Sequence, residues 1–223
     1  MDWALKFEND WQKNGPVYTD CHCHAASVDR PSARAVSRFH VDQQDTTGEA
    51  WHRLLALIED TASEGRETFA PRHALPPELW AQIFILPPEI STLKQVKYLK
   101  LYGSNLSAIP PKIGEMASLE SFDPYTSRRL HWHPYEITRC MTVRDSRVST
   151  RHLYGNDKTN TPFPELPATV PAGCTPGSCS VCRGEFRSKP VQAWISLRVA
   201  TDTLPLLVHA CSQECLKALP PPV

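Results

Sequence analysis

The chain has 223 residues, 41% of them hydrophobic, enough for one elongated domain and one small one. Its 24 Lys and Arg balance 24 Asp and Glu, so no overall field draws it toward nucleic acid or an anionic membrane, and no stretch approaches the ~20 apolar residues that a spanning helix needs. No basic stretch followed by an apolar core opens the chain, which predicts a cytoplasmic protein whose cysteines hold metal in preference to forming bridges.

Residues 1–45 give the least regular pattern. Val17-Tyr18-Thr19 leads into Asp20-Cys21-His22-Cys23-His24, whose D-x-H-x-H spacing resembles the metal-binding strand end of amidohydrolases and phosphoesterases. That resemblance implies a zinc-dependent hydrolase using Asp20, His22 and His24 on a (β/α)₈ barrel of ~250 residues, and a chain whose middle is repeats cannot supply one. A second metal site drawing on Cys21, His22, Cys23 and His24 is the other reading. Alternation along a strand would turn at most two of the four toward one ion, with His40 or Cys140 as further ligands.

Residues 46–85 read as a helical cap. Thr46 and Glu49 form a capping box, and Trp51, Leu54, Leu55 and Ile58 make one apolar stripe on a helix over 46–64. A second helix is expected from Pro77 to Ile85, burying Leu79, Trp80 and Ile83.

Residues 86–160 carry a repeat. Leu86-Pro87-Pro88-Glu89-Ile90, Ile109-Pro110-Pro111-Lys112-Ile113 and His133-Pro134-Tyr135-Glu136-Ile137 recur at offsets of 23 and 24 residues. Such a period marks units that must stack to bury their apolar faces. The fullest unit, Val96 to Pro110 with Leu99, Leu101 and Leu106, resembles a leucine-rich repeat, with Ser104 or Asn105 in the buried polar position. Later copies decay: Pro124 ends the second strand early, and the third offers only Val143, Ser146 and Val148. Strand positions not needed for the core, Lys97, Tyr98, Lys100, Tyr102, Glu120, Ser121, Asp123, Arg144, Asp145 and Arg147, form the expected partner face. Cys140, near His131 and His133, reads as a buried apolar thiol more readily than as a nucleophile.

A Pro-rich linker, residues 161–173, leads to a cysteine-rich unit at 174–223. Cys179-Ser-Val-Cys182 and Cys211-Ser-Gln-Glu-Cys215 flank expected strands Trp194–Val199 and Leu206–Ala210, joined at Thr201-Asp202-Thr203 and followed by a helix over 212–219. Four soft ligands in two turns point to Zn2+ in a closed, structural site, with Cys174 as an alternative first ligand. Knuckle, hairpin and ligand-bearing helix resemble the treble-clef, MYND-like fingers. The whole is thus expected to be an α/β protein: a short leucine-rich-repeat solenoid with a helical cap and an α+β finger, a non-enzymatic module binding another protein. The alternative is a regulator whose finger contacts nucleic acid or a ubiquitin-like partner through Arg183, Arg187, Lys189, Trp194 and Arg198.

Overall fold

The structure, a computed structural model, describes His40, residues 42–148 and residues 173–223. Asp20, Cys21, His22, Cys23 and His24 and most of the 161–173 linker lie outside the described residues. Among the described residues the fold is mixed α/β, with short helices, two open sheets and no closed barrel.

Helix α1, Glu49–Ser63, turns Ala50, Leu54, Ile58 and Thr61 into the core. Its start differs from the expected capping box. Gly48 is the N-cap and gives no side-chain hydrogen bond; the Asp45 carboxylate instead accepts from the Thr47 N–H and hydroxyl and from Gly48 N–H, at 2.8, 2.8 and 3.1 Å. A carboxylate one step upstream therefore closes the turn that Thr46 was expected to close.

After β1, Thr68–Phe69, come two single-turn helices, α2 (Pro71–Ala74) and α3 (Pro77–Trp80). The helix expected to reach Ile85 stops at Trp80: the Phe84 and Ile85 N–H groups go to Gln44 Oε1 at 2.8 and 3.3 Å and the Ala81 carbonyl to Asn105 at 2.8 Å, so the groups a further turn would pair are taken. Trp80 and Ile83 are buried as expected, while Leu79 stays half-buried.

Strands β2 (Tyr98–Lys100), β3 (Ser121–Asp123) and β4 (His133–Pro134) are joined by β5 (Asp145–Ser146). The first sheet runs β1-β2-β3-β5, all parallel, with Phe69 beside Leu99, Leu99 beside Phe122 and Phe122 beside Ser146. Those last two pairings carry the 23- and 24-residue offsets read from the sequence. Opposite the strands, 3₁₀ turns at Pro88–Thr92, Pro111–Glu115 and Tyr135–Arg139 stack; the first two open on a proline whose fixed φ suits a helix start, and the third follows the extended Pro134. Between the two sides Leu99, Leu101, Leu106, Ile109, Ile113, Met116, Leu119 and Phe122 are all fully buried. Ser104 and Ser127, one period apart, share a 2.7 Å hydrogen bond between hydroxyls; the Leu106 N–H donates to Ser104 Oγ, and Ser127 donates to the Leu101 carbonyl. Asn105 reaches the Ala81 carbonyl at 2.8 Å. Both polar residues of that turn thus serve backbone groups.

The hairpin is longer and tighter than expected. β6 (Val191–Val199) and β7 (Asp202–Ala210) pair in register to Val199 beside Asp202, leaving Ala200 and Thr201 as a two-residue turn with Ala200 at φ 52°. Asp202 and Thr203, read as turn from the sequence, already lie in β7. β7 also pairs in parallel with β4, so the hairpin and the stacked units share one sheet and one apolar core. Ser146 closes the junction: its N–H donates to Thr201 Oγ1 at 3.1 Å, its carbonyl accepts from that hydroxyl at 2.7 Å, and its own hydroxyl donates to the Val199 carbonyl.

His133 stands where earlier units place an aliphatic residue. It is fully buried, edge-on to Phe122 at 5.7 Å, with both ring nitrogens lacking a hydrogen-bond partner among the described residues. Burial lowers its pKa to about 3, and that of His209 to about 4. The unfolded chain takes up a proton near pH 6.5 that folded His133 refuses until about 3. The contribution of these groups is therefore full above pH 6.5 and declines on acidification, by about 1.4 kcal/mol per pH unit per group at most. Urea unfolding at pH 7 and pH 5 should register that decline. His133→Leu should reduce it and raise stability at pH 7, since it removes an unsatisfied buried polar ring.

Candidate metal centre and strand face

The four thiols of the two couplets meet at one place. A turn from Cys179 to Gly184 brings Cys179 and Cys182 together: Cys179 N–H donates to the Gly184 carbonyl at 2.8 Å, Arg183 N–H to the Cys179 carbonyl at 3.0 Å, and Arg183 takes φ 63°. Helix α4, Gln213–Lys217, supplies Cys215. Its N-cap Ser212 accepts from the Cys215 N–H at 3.3 Å, and Cys211 leaves the end of β7 directly before it.

The Sγ atoms of Cys179, Cys182, Cys211 and Cys215 all lie within 4.8 Å of one another. Cys182 and Cys211 stand 3.6 Å apart and Cys211 and Cys215 3.5 Å, far beyond a sulfur–sulfur bond, so all four are free thiols. Sulfurs placed tetrahedrally at about 2.3 Å from an ion are separated by about 3.8 Å, which this spread accommodates. Cys179 is prepared for deprotonation. Burial raises its pKa, but N–H groups of Cys182, Cys211 and Val181 aimed at the sulfur outweigh that and bring it to about 6. Cys211, by contrast, shares hydrogen bonds with Cys215 and Cys182 and is pushed up to about 12. A divalent cation at the centre would reverse that preference by drawing off the protons.

Cys174 is not part of the group. It is buried among Ile85, Ala108, Trp132 and Leu207, and desolvation pushes its thiol up to about 12. Cys140 likewise lies buried, its thiol donating to the Ile113 carbonyl at 3.2 Å, with its pKa pushed up to about 11.

The strand face carries the expected residues, but many hold each other. Lys97 pairs with Glu67 at 2.5 Å and Arg144 with Glu120, so the row Glu67, Lys97, Glu120, Arg144 alternates in sign across the sheet. Ser121 donates to Asp145 at 3.0 Å. Tyr102 is half-buried, hydrogen-bonded to His73 and stacked under Arg72 at 5.4 Å, which makes it part of the packing against α2. Asp123 accepts from Tyr125 N–H, and its burial raises its pKa. Tyr98, 41% exposed, together with Lys100 and Arg147 faces outward. On the hairpin side Arg183, Arg187, Lys189 and Arg198 are exposed, whereas Trp194 packs edge-on to Trp132 at 6.2 Å and leaves that patch without its aromatic. No helix of the described residues is long and apolar enough to cross a membrane.

No protein-family model matches the chain. No curated protein matches it either. Among solved structures it is similar to a leucine-rich-repeat protein of Leptospira interrogans, at 16% identity and a TM-score of 0.28, over 59% of this chain and 36% of that one. The chain thus spans about a third of that protein's length.

Proposed function

We propose that the chain is a short leucine-rich-repeat array joined to a structural treble-clef zinc finger, and that it acts without catalysis by holding another protein against its strand face. The observation that carries this is the register: Leu99, Phe122 and Ser146 face inward in one row, so Tyr98, Ser121 and Asp145, then Lys100, Asp123 and Arg147, line up outward on one surface. Zn2+ is the metal that four thiolates at this spacing suit, and four protein ligands leave no position for water or substrate. The setting that fits is a reducing one such as the cytoplasm, where such thiols stay available for metal.

Affinity capture from lysate, read with quantitative mass spectrometry, tests this. Tyr98→Ala combined with Lys100→Glu should lower recovery of the principal partner at least ~10-fold with no change in melting temperature, because both side chains are exposed and hold no core contact. Tyr102 is a poor choice for that test because it packs against His73. Should Arg187→Glu with Lys189→Glu abolish recovery while the strand-face pair leaves it intact, the finger is the binding element and the regulator reading replaces this one.

A further inference from the structure

The turn that carries Cys179 and Cys182 is not held by the finger alone. Arg139, in the third 3₁₀ turn of the stacked units, donates through Nη2 to the Ser180 carbonyl at 2.9 Å and the Cys179 carbonyl at 3.3 Å. Its guanidinium is mostly buried and lies 3.8 Å from the Glu136 carboxylate, which is itself almost completely buried. Ser180 is tied on its other side to β7: its N–H donates to the His209 carbonyl at 2.8 Å, and its hydroxyl accepts from His209 N–H at 2.9 Å. Two residues beyond His209 stands Cys211, whose N–H donates to Cys179 Sγ at 3.3 Å. One chain of hydrogen bonds therefore runs from the array through Arg139 into the carbonyls beside the first ligand and on to the third.

We infer that Arg139 is a positioning residue of the metal centre, supplied by the array, so that metal affinity and closure of the array's end are two readings of a single coupling. The inference rests on the four thiols being a metal site. Outer contacts that orient ligands typically change metal affinity 10- to 100-fold when removed. Coupling between two equilibria is reciprocal, so what the array contributes to metal binding the metal returns to the array.

Cobalt(II) serves as the probe, because thiolate-to-cobalt charge-transfer bands report four-sulfur coordination directly. The full chain, stripped of metal under reducing conditions, is titrated with Co2+ in competition with a chelator. Arg139→Gln should weaken Co2+ 10- to 100-fold, with Arg139→Lys recovering part of the loss because an ammonium can still donate to one carbonyl. Thr138→Ala, in the same turn but hydrogen-bonded to Tyr135 and not to the cysteine turn among the described residues, should leave the midpoint unchanged whatever it does to melting. The second arm needs no variant: hydrogen exchange of the wild-type chain with and without metal should lose protection at Tyr135–Arg139 as well as at the cysteines, and keep it in α1. Equal Co2+ midpoints in wild type and both Arg139 variants, or loss of protection confined to 178–219, would overturn the role given to Arg139. Absence of thiolate–cobalt bands in the wild type overturns the metal reading itself and this inference with it.

Discussion

On the proposed zinc site, Cys182→Ser or Cys215→Ser is expected to leave the protein without a tightly held metal ion. Both thiols belong to the group whose sulfurs lie within 4.8 Å, and a hydroxyl is a far weaker ligand for a soft site. Apparent binding free energies of structural thiolate zinc sites are on the order of 10 kcal/mol, more than a 50-residue segment can replace by burial. Elemental analysis should therefore give less than one equivalent of zinc in each variant, and a lowered melting temperature should accompany it. Because β7 is paired to β4 and shares its core, the loss will not stop at the cysteine-rich segment; the seam at His133 and Ser146 should loosen too. Full zinc content in both variants would show that the ligands are others.

Leu99→Ala is the second large effect, expected at roughly 2–5 kcal/mol, against almost nothing for Lys100→Ala one residue later. Leu99 is fully buried between Phe69 and Phe122, and its loss opens a cavity among side chains fixed by the strand register on both sides. Lys100 points to solvent and makes no ion pair within 4 Å among the described residues. Chemical denaturation of the two variants separates these values easily. Similar midpoints would mean that the strands are shifted by one residue, since a one-residue slip exchanges the two faces.

What could be read ahead of the structure was what the chain encodes locally. The 23- and 24-residue offsets are written in the I-P-x-x-I segments, and they reappear in the pairing of Leu99 with Phe122 and of Phe122 with Ser146. The cysteine couplets are equally local, because a two- or three-residue gap allows little besides a turn. Contacts made across sequence were harder to see. The first rung, Thr68–Phe69, stands 30 residues before its partner and has two short helices inserted between, so it breaks the period and carries no motif. Docking of the hairpin on β4 depends on the fit of two apolar surfaces, of which composition shows only that both are apolar. Tyr102 read as free surface because nothing near it in sequence predicts His73. The capping box failed for a narrower reason: Asp45 competes for the same turn and binds it more fully than Thr46 does.

Thr201 has a consequence beyond joining two parts of the fold. A stack of parallel strands ends in an outer strand whose peptide groups are open templates for another chain, and among the described residues β5 is that strand on the C-terminal side. At Ser146 both the amide and the carbonyl are already taken, by one threonine hydroxyl from the turn between β6 and β7. A second copy offering its own edge to β5 would meet no vacant amide at that residue and would have to displace the hairpin first. The turn residue thus takes up the two backbone groups of Ser146 that an added strand would otherwise use, and Thr201→Val, which keeps the shape and removes the hydroxyl, would free both.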